Sequence, residues 1–376
     1  MRAPNGRPEK TVGPTKWVDH VSATQGQARH RVCRESANRG RKGLGMVNTE
    51  VGPVERMLAG ASYRAPVDKT VDSLSGSPFE RVIIDGEPYL VKYVGWREDW
   101  LARALGDRDC FVRQLWTHGV LAGLPAEMDH TIVDVADDRA GGRVALLLRD
   151  VGSWLVPAGS SALPIAQHRR FLEHLAIMHA AFWGFEDRIG LLPPGRRYTA
   201  LTPATAEREA AEGHDDPVPR ELAGGWEALR RAVPEAHAYA AALAEDPTPL
   251  VAALATTPAT FVHGDWKAGN LGSHPDGRTI LLDWGWPGRA GPLVDLAWYL
   301  AVNCDRLPES KEDTLAAYRE ALLGQGIDAG PWWVDQLGPA LLGAFVQLGW
   351  SKTHDPVELG WWVRAVTPVA RRLLGS

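Results

Sequence analysis

Residues 261–271 read Phe-Val-His-Gly-Asp-Trp-Lys-Ala-Gly-Asn-Leu, and residues 279–285 read Thr-Ile-Leu-Leu-Asp-Trp-Gly. Each stretch begins with a short apolar run, which is typical of a buried strand, and then turns polar. Asp265 and Asp283 therefore both follow the end of a strand, and Asn270 lies between them in the sequence. We expect both carboxylates to emerge from strand ends, with the amide on the loop between them.

These three side chains are of the types that phosphoryl transfer needs. The reaction uses a carboxylate to orient the attacking hydroxyl and accept its proton, and hard oxygen ligands for the Mg²⁺ that bridges the phosphates. Asp265 suits the first role, and Asn270 and Asp283 suit the second. An Asp that follows a glycine is more commonly a turn former. The spacing to Asn270 and Asp283 nevertheless favours catalysis.

His263-Gly264-Asp265, followed by Asn270, resembles the His-Gly-Asp-x-x-x-x-Asn catalytic loop of the aminoglycoside phosphotransferase family, which is similar to the catalytic loop of protein kinases. Asp283-Trp284-Gly285 resembles the metal-binding triplet of these enzymes. Asp295, in Pro-Leu-Val-Asp-Leu-Ala, resembles an Asp at a helix start that supports the catalytic loop in that family. The ordered set of motifs extends the resemblance over about residues 70–350.

The resemblance implies an α+β, protein-kinase-like bilobal fold, with a small antiparallel β N-lobe and a larger helical C-lobe. It implies an ATP- and Mg²⁺-dependent O-phosphotransferase that acts on a hydroxyl of a small molecule: an aminoglycoside, a sugar, an amino alcohol or a related metabolite. Asp265 would be the catalytic base, and Asn270 and Asp283 the metal ligands. Asp295 would act from behind the loop without touching the substrate.

Two other residues of the catalytic loop have roles that the sequence leaves open. His263 belongs to the catalytic motif, and bracing of the loop by hydrogen bonds is favoured over proton transfer. Lys267 either pairs with the γ-phosphate, as the matching lysine does in protein kinases, or is simply exposed.

The nucleotide-binding residues are less clearly marked. Lys92 resembles the strand lysine that pairs with the α- and β-phosphates, although a lysine between apolar strand residues could also face solvent. Ser75-Gly76-Ser77 lies where a phosphate-covering loop belongs but has a single glycine. Residues 146–151 resemble the hinge whose backbone binds adenine, which places Arg149 and Val151 in the nucleotide site. An acidic helix partner for Lys92 is not evident, since Asp107 and Asp109 lie near the expected place but out of register.

The first part of the chain has an unusual composition. Residues 1–48 are rich in Arg, Gly, Pro, Ser and Asn, with ten basic and three acidic residues. Such a segment lacks the apolar surface needed to offset the entropy of ordering, so we expect a disordered basic extension. A translation start at Met46 and a basic nucleic-acid arm are the alternatives.

The remainder divides near Asp150. Residues 55–150 predict a small antiparallel sheet around an Asp-Gly hairpin turn, with one helix over Trp100–His118. Residues 151–376 predict a mainly helical lobe that holds the catalytic loop, the metal site and the acceptor pocket. Within it, residues 185–225 contain several prolines and are expected to be loop-rich.

Bulk composition excludes several classes of protein. The 376 residues are 45% hydrophobic and 23% charged, with a net charge of −5, which gives no reason to expect nucleic acid or membrane as a partner. Three cysteines without a CxxC spacing favour a reducing cytoplasm over a disulfide framework. The sequence does not indicate an oligomeric state.

Two rival functions follow from the same motifs. A protein kinase is disfavoured because no activation segment ending in an Ala-Pro-Glu-like motif follows residue 285. A nucleotide-binding pseudokinase or scaffold remains the alternative, although it would be expected to lack one of the motif residues. Five acids of the 185–225 segment would suit a cationic acceptor or could form a solvated surface: Glu207, Glu209, Glu212, Asp215 and Asp216.

Overall fold

The structure, a computed structural model, describes residues 51–67 and 74–375; the predicted N-terminal extension lies outside these residues. The fold is α+β, as predicted, with a β-sheet region followed by a mainly helical region. The strands are β1 (Gly52–Pro53), β2 (Ala61–Val67), β3 (Phe79–Ile84), β4 (Glu87–Val94), β5 (Met128–Asp129), β6 (Ile132–Asp138), β7 (Arg143–Arg149), β8 (Thr260–Val262), β9 (Leu271–Ser273), β10 (Thr279–Leu281) and β11 (Gly288–Ala290). The α-helices are α1 (Val54–Met57), α2 (Trp100–Leu105), α3 (Phe111–Thr117), α4 (Ile165–Ala181), α5 (Arg196–Thr199), α6 (Pro203–Ala211), α7 (Pro217–Ala232), α8 (Pro234–Glu245), α9 (Thr248–Ala255), α10 (Leu293–Val302), α11 (Lys311–Gly324), α12 (Trp333–Leu348) and α13 (Pro356–Leu374).

A six-stranded sheet in the order β1-β6-β7-β4-β3-β2 forms the first region. Strands β3 and β4 make the predicted hairpin, and its turn residues Asp85 and Gly86 adopt φ values of 53° and 83°, a backbone that this residue pair favours. Lys92 on β4 lies opposite Phe79 on β3 and opposite Leu146 on β7. Lys92 is therefore held on an inner strand of the sheet.

The single helix predicted over Trp100–His118 was wrong, because the structure has two helices there. Gly106 ends α2 in the left-handed conformation, with φ 76°, and Cys110 precedes α3 with φ 61°. Glycine adopts positive φ without a side-chain clash and commonly terminates helices for this reason. The positive φ values at Gly106 and Cys110 thus separate α2 from α3.

The 185–225 segment was expected to be loop-rich, which holds for residues 185–195 but is wrong for most of the remainder. It contains α5, α6 and the first part of α7. Pro203 and Pro217 are the first residues of α6 and α7, and Pro234 likewise begins α8. Proline is well accommodated there because the first N–H of a helix has no intrahelical acceptor. These prolines mark helix starts.

Two small sheets carry the loops of the helical region. Strand β8 pairs with β11, and β10 lies between β5 and β9. A large apolar cluster packs around them and includes fully buried rings such as Trp266, Trp350 and Trp362. A smaller cluster lies against the six-stranded sheet. Across the described ranges, no helix combines the length and the apolar character required to cross a bilayer.

Candidate active site

Asp265 lies on the loop after β8 and is only 3% exposed. Its Oδ1 accepts a hydrogen bond from the indole Nε1 of Trp298 at 2.9 Å. Its Oδ2 accepts from Lys267 Nζ and from Asn270 Nδ2, each at 2.8 Å. Burial raises the pKa of Asp265 above its ordinary value, and the Lys267 ammonium opposes that rise. The result is a carboxylate of fixed orientation with increased proton affinity, which suits a general base.

Asp295, in the first turn of α10, supports the loop from behind. It is fully buried, and its two oxygens accept hydrogen bonds from the main-chain N–H groups of His263 at 2.8 Å and Gly264 at 2.7 Å. His179 Nε2 lies 3.2 Å from Oδ2. Burial opposes the ionised form, but the hydrogen bond and charge of His179 outweigh it and lower the pKa of Asp295. A charged acceptor is thereby fixed under two successive residues of the loop.

Glycine is the only residue type that position 264 of this loop accepts. Its φ is +80°, and a Cβ there would lie 2.1 Å from the Trp286 carbonyl oxygen and 2.7 Å from Arg197 Nη1. Arg197, which is 2% exposed, donates from Nη2 to the same carbonyl oxygen at 3.1 Å. The Gly in the motif is thus explained by a close approach of α5 and the chain after Asp283.

The imidazole of His263 is fully buried and uses both nitrogens within the site. Nδ1 accepts from the Asp265 N–H at 3.1 Å, and Nε2 lies 3.1 Å from the carbonyl oxygen of Leu282. These partners require a neutral ring that carries its proton on Nε2. Burial also lowers the pKa of His263. The geometry therefore favours loop bracing over proton transfer for this residue.

Asn270 and Asp283 come together because Leu282 N–H donates to the Asn270 carbonyl oxygen at 2.9 Å. The amide nitrogen of the Asn270 side chain is bonded to Asp265, so its side-chain oxygen is the atom that could bind a cation. Asp283 adopts φ 59°, a conformation that Asp tolerates better than most residues. One amide oxygen and one carboxylate are hard donors of the kind that Mg²⁺ prefers.

Lys92 and Asp283 join the sheet to the helical region. Lys92 Nζ lies 2.9 Å from Asp283 Oδ1, with side chains 13% and 36% exposed. Burial works against both charges. The Lys92 and Lys267 charges nevertheless lower the pKa of Asp283 to about 2, and the Asp283 and then the Asp99 charges raise the pKa of Lys92. The two groups therefore remain ionised at the junction of the sheet and the helical region, which we call the cleft.

After Asp283, the acid whose charge raises the pKa of Lys92 is Asp99, a residue that sequence reasoning did not consider. It is the N-cap of α2, where Oδ1 accepts from two main-chain N–H groups of the first turn. Asp107, which was considered for this place, instead accepts a hydrogen bond at 3.0 Å from the N–H of Phe111, the first residue of α3. Sequence reasoning missed Asp99 because the expected acid was sought inside the helix.

The Ser75-Gly76-Ser77 turn is tied to the start of α2. Ser77 Oγ donates to Asp99 Oδ2 at 2.7 Å, and Trp100 N–H donates to the Ser75 carbonyl oxygen at 3.1 Å. Gly76 adopts φ +88°. The turn leads directly into β3, where Phe79 is paired with Lys92. The structure thus places the turn beside Lys92, with the Ser77 hydroxyl used within the protein.

The expected hinge lies at the end of β7 and in the residues just after it. The Arg149 N–H donates to the Thr131 carbonyl oxygen at 3.0 Å, and its guanidinium pairs with Asp129. Val151 is 4% exposed, and its carbonyl oxygen accepts from Trp154 N–H at 2.9 Å. Both residues are therefore engaged in holding the connection between the sheet and the helical region.

Two of the five acids of the 185–225 segment are used internally. Glu209, which is 1% exposed, forms a bidentate ion pair with Arg103 of α2, and Asp216 also contacts Arg103 at 3.2 Å. The other three are exposed at the protein surface: Glu207, Glu212 and Asp215.

Several contacts of the site carried no local sequence signal. Trp298 donates to Asp265 from three residues beyond Asp295, and Asn303 Oδ1 accepts from the Ala268 N–H at 2.8 Å. Both follow the Asp-Leu-Ala motif on α10 or just after it. A search for polar or indole groups at helical spacing from Asp295 could have found Trp298.

Several solved structures are similar to this chain. A search of curated protein sequences gave no match. Among solved structures, the chain is similar to a thermostable mutant of aminoglycoside phosphotransferase APH(4)-Ia, with 13% identity and a TM-score of 0.44 over 86% of this chain and 99% of that one. It is also similar to aminoglycoside phosphotransferase APH(3'')-Id from Streptomyces rimosus in complex with ADP and streptomycin, with 18% identity and a TM-score of 0.45 over 78% and 97% of the two chains. Choline kinase LicA from Streptococcus pneumoniae gives 15% identity and a TM-score of 0.41 over 77% and 97%.

The family model described as the phosphotransferase enzyme family (APH) matches residues 111–333. This range is more than half of the chain and includes the catalytic loop, Asp283 and Asp295. Lys92 and the Ser75-Gly76-Ser77 turn lie before it, so their interpretation depends on their positions in the sheet. The chain belongs to the phosphotransferase enzyme family.

Proposed function

We propose that this phosphotransferase uses ATP and Mg²⁺ to phosphorylate a hydroxyl group of a small molecule. The observation that carries the proposal is the environment of Asp265. Three donors, from α10 and from the catalytic loop itself, hold its carboxylate at 2.8–2.9 Å, and the ion pair between Lys92 and Asp283 lies across the same cleft.

In the proposed reaction, the acceptor hydroxyl hydrogen-bonds to Asp265. The hydroxyl oxygen attacks the γ-phosphorus, the bond from that phosphorus to the bridging oxygen of ADP breaks, and the hydroxyl proton passes to Asp265. The products are a phosphomonoester and ADP. Lys267, 2.8 Å from Asp265, adds a positive charge where negative charge is transferred.

The nucleotide would be held mainly from the sheet side. Lys92 pairs with its phosphates, the Ser75-Gly76-Ser77 turn covers them with main-chain amides, and the chain at Arg149 and Val151 borders the adenine. Asn270 and Asp283 would hold Mg²⁺, which neutralises phosphate charge when bound.

The acceptor side would be formed by helices that follow the hinge. We propose Asp150 as the division between a nucleotide lobe (55–150) and an acceptor lobe (151–376), with α6 and α7 contributing to the acceptor pocket. The acceptor class is a hydroxylated small molecule; neither nucleic acid nor membrane is proposed as a partner. Cys110 and Cys304 are free thiols, which supports a cytoplasmic location.

The experiment that tests the function is a screen of hydroxylated metabolites and antibiotics with Mg-ATP, read as ADP release. Asp265→Asn serves as the matched variant, because it keeps the size of the side chain and one acceptor oxygen. We expect it to bind Mg-ATP like the wild type, while transfer falls by ~10²-fold or more, the scale of a lost general base.

Each other result has a defined meaning. A wild-type protein that does not bind Mg-ATP would contradict the nucleotide site. Binding without transfer to any acceptor in the screen would favour the scaffold alternative. Transfer by the Asn variant within a few-fold of the wild type would show that Asp265 is not the base.

A further inference from the structure

Arg103, on α2 of the sheet region, is buried at the contact with the helices that follow the hinge. It is 4% exposed, and all of its guanidinium donors have acceptors. Nε and Nη2 bind the Glu209 carboxylate at 2.9 and 2.6 Å, and Nη2 also reaches Asp216 Oδ2 at 3.2 Å. Nη1 donates to the carbonyl oxygens of Trp96 and Arg97 at 3.0 and 2.8 Å. A guanidinium whose donors are all hydrogen-bonded fixes its partners in both position and orientation.

The two carbonyl acceptors belong to the segment that leaves β4 just after Lys92. Trp96 and Arg97 connect that strand to α2, so Arg103 holds the exit of the lysine strand. On the other side, Glu209 lies in α6 and Asp216 is the residue before α7. One guanidinium therefore ties the strand that carries Lys92 to two helices of the proposed acceptor lobe.

Helix α2 also holds in place the Ser75-Gly76-Ser77 turn, which is proposed to cover the phosphates. The first turn of α2 holds Ser75 and Ser77 through Trp100 and Asp99. Asp216 approaches this turn directly, since a Cβ on Gly76 would lie 3.0 Å from Asp216 Oδ1. The turn is thus fixed from two directions, by α2 and by the residue that starts α7.

We propose that Arg103, Glu209 and Asp216 are positioning residues for the nucleotide site, through which α6 and α7 hold Lys92 and the Ser75-Gly76-Ser77 turn in place for ATP. The inference depends on the proposed function, because it assigns these residues to the binding of Mg-ATP. None of the three touches the reacting atoms. Their effect is transmitted through α2 and through the segment after β4.

The test compares two buried ion pairs in the full chain. Glu209→Gln removes the charge opposite Arg103. Glu358→Gln removes the charge opposite Lys311, a pair at 2.5 Å whose side chains are each 11% exposed and which joins α11 to α13 away from the cleft. Both variants should melt at lower temperature than the wild type, since each removes a carboxylate that pairs with a largely buried cation.

Mg-ATP affinity, measured by calorimetry below both melting transitions, separates the two roles. We expect Glu209→Gln to weaken Mg-ATP binding by about 2- to 30-fold, the range for the loss of a coupling contact, and Glu358→Gln to leave it unchanged. Arg103→Gln combined with Glu209→Gln should weaken binding by less than the product of the single effects, because both disrupt one interaction.

Asp216→Asn covers the case in which Glu209→Gln does not fold. It keeps the bidentate pair and removes only the charge that faces both Arg103 and Gly76, and it should weaken Mg-ATP binding in the same direction. If the folded variants bind Mg-ATP within twofold of the wild type, the cluster is a structural contact and the proposal is overturned. A wild type that fails to bind Mg-ATP would instead contradict the proposed function.

Discussion

Asp295→Asn is expected to destabilise the protein strongly although it changes one atom. The Asp295 carboxylate is fully buried, and each oxygen accepts a main-chain N–H of the catalytic loop, at 2.8 Å from His263 and 2.7 Å from Gly264. An Asn side chain offers one acceptor oxygen and one NH₂ donor. One of the two loop N–H groups would therefore face another donor.

The magnitude follows from these contacts. Hydrogen bonds to a charged group contribute about 1.5–3 kcal/mol each, and a buried donor left unsatisfied adds about 1–3 kcal/mol. The substitution loses one such bond, weakens the other and removes the charge opposite His179. We expect a loss of about 3–5 kcal/mol in the free energy of unfolding, measured by urea denaturation at pH 7. Asp335→Asn, at an exposed position of α12, is the matched control and should change stability by less than about 0.5 kcal/mol.

The pH dependence of this difference has a definite sign. The pKa of Asp295 is lowered in the folded protein, so the stability it contributes is present above the unfolded value of about 3.9 and is lost as the pH falls through the lower folded value. The difference in the free energy of unfolding between wild type and Asp295→Asn should therefore stay constant from about pH 5 to 8 and decrease only below about pH 4. If Asp295→Asn lowers the free energy of unfolding by less than about 1 kcal/mol at pH 7, the assigned role is refuted.

Two further substitutions test the charges that face the cleft. Asp283→Ala should weaken Mg-ATP binding far more than metal-free ATP binding, because it removes a ligand for the cation while releasing Lys92 for the phosphates. Equal losses of affinity in calorimetry with and without Mg²⁺ would show that Asp283 has a structural role instead. Lys267→Met should move the acid limb of the pH–rate profile to higher pH, because Lys267 lowers the pKa of Asp265 and its removal lets burial raise that pKa further. The profile is measured with an acceptor found by ADP release, and an unmoved or lower limb would contradict the ion pair.

The catalytic loop could be predicted from the sequence because its information is local. Two apolar runs mark β8 and β10, and the loops that follow them are joined by the hydrogen bond from the Leu282 N–H to the Asn270 carbonyl oxygen. The Asp-Gly hairpin between β3 and β4 was predicted for the same reason, since a two-residue turn specifies its own strand pairing. In both cases the residues that decide the structure lie in one short stretch of the sequence.

The contacts around Arg103 could not be predicted, because they join residues far apart in the chain. Arg103 and Glu209 are separated by 106 residues, and nothing in either segment specifies the partner. The helices α6 and α7 were themselves missed, since their prolines indicated loops. Once Pro203 and Pro217 are recognised as helix starts, a buried acid on α6 becomes a reasonable expectation, but its partner still depends on how the helices pack.

If the proposed function holds, the ion pair between Lys92 and Asp283 predicts that the site prefers the metal complex of ATP to ATP alone. Metal-free ATP could reach Lys92 only by competing with Asp283, and its phosphates would then lie beside a carboxylate whose pKa of about 2 keeps it ionised. Mg-ATP brings a charge for each partner, a phosphate for Lys92 and a cation for Asp283. Binding would then exchange one ion pair for two, and no charge in the cleft would be left without a partner. Since Lys92 lies on β4 and Asp283 follows β10, this exchange would also keep the two lobes in register around the nucleotide.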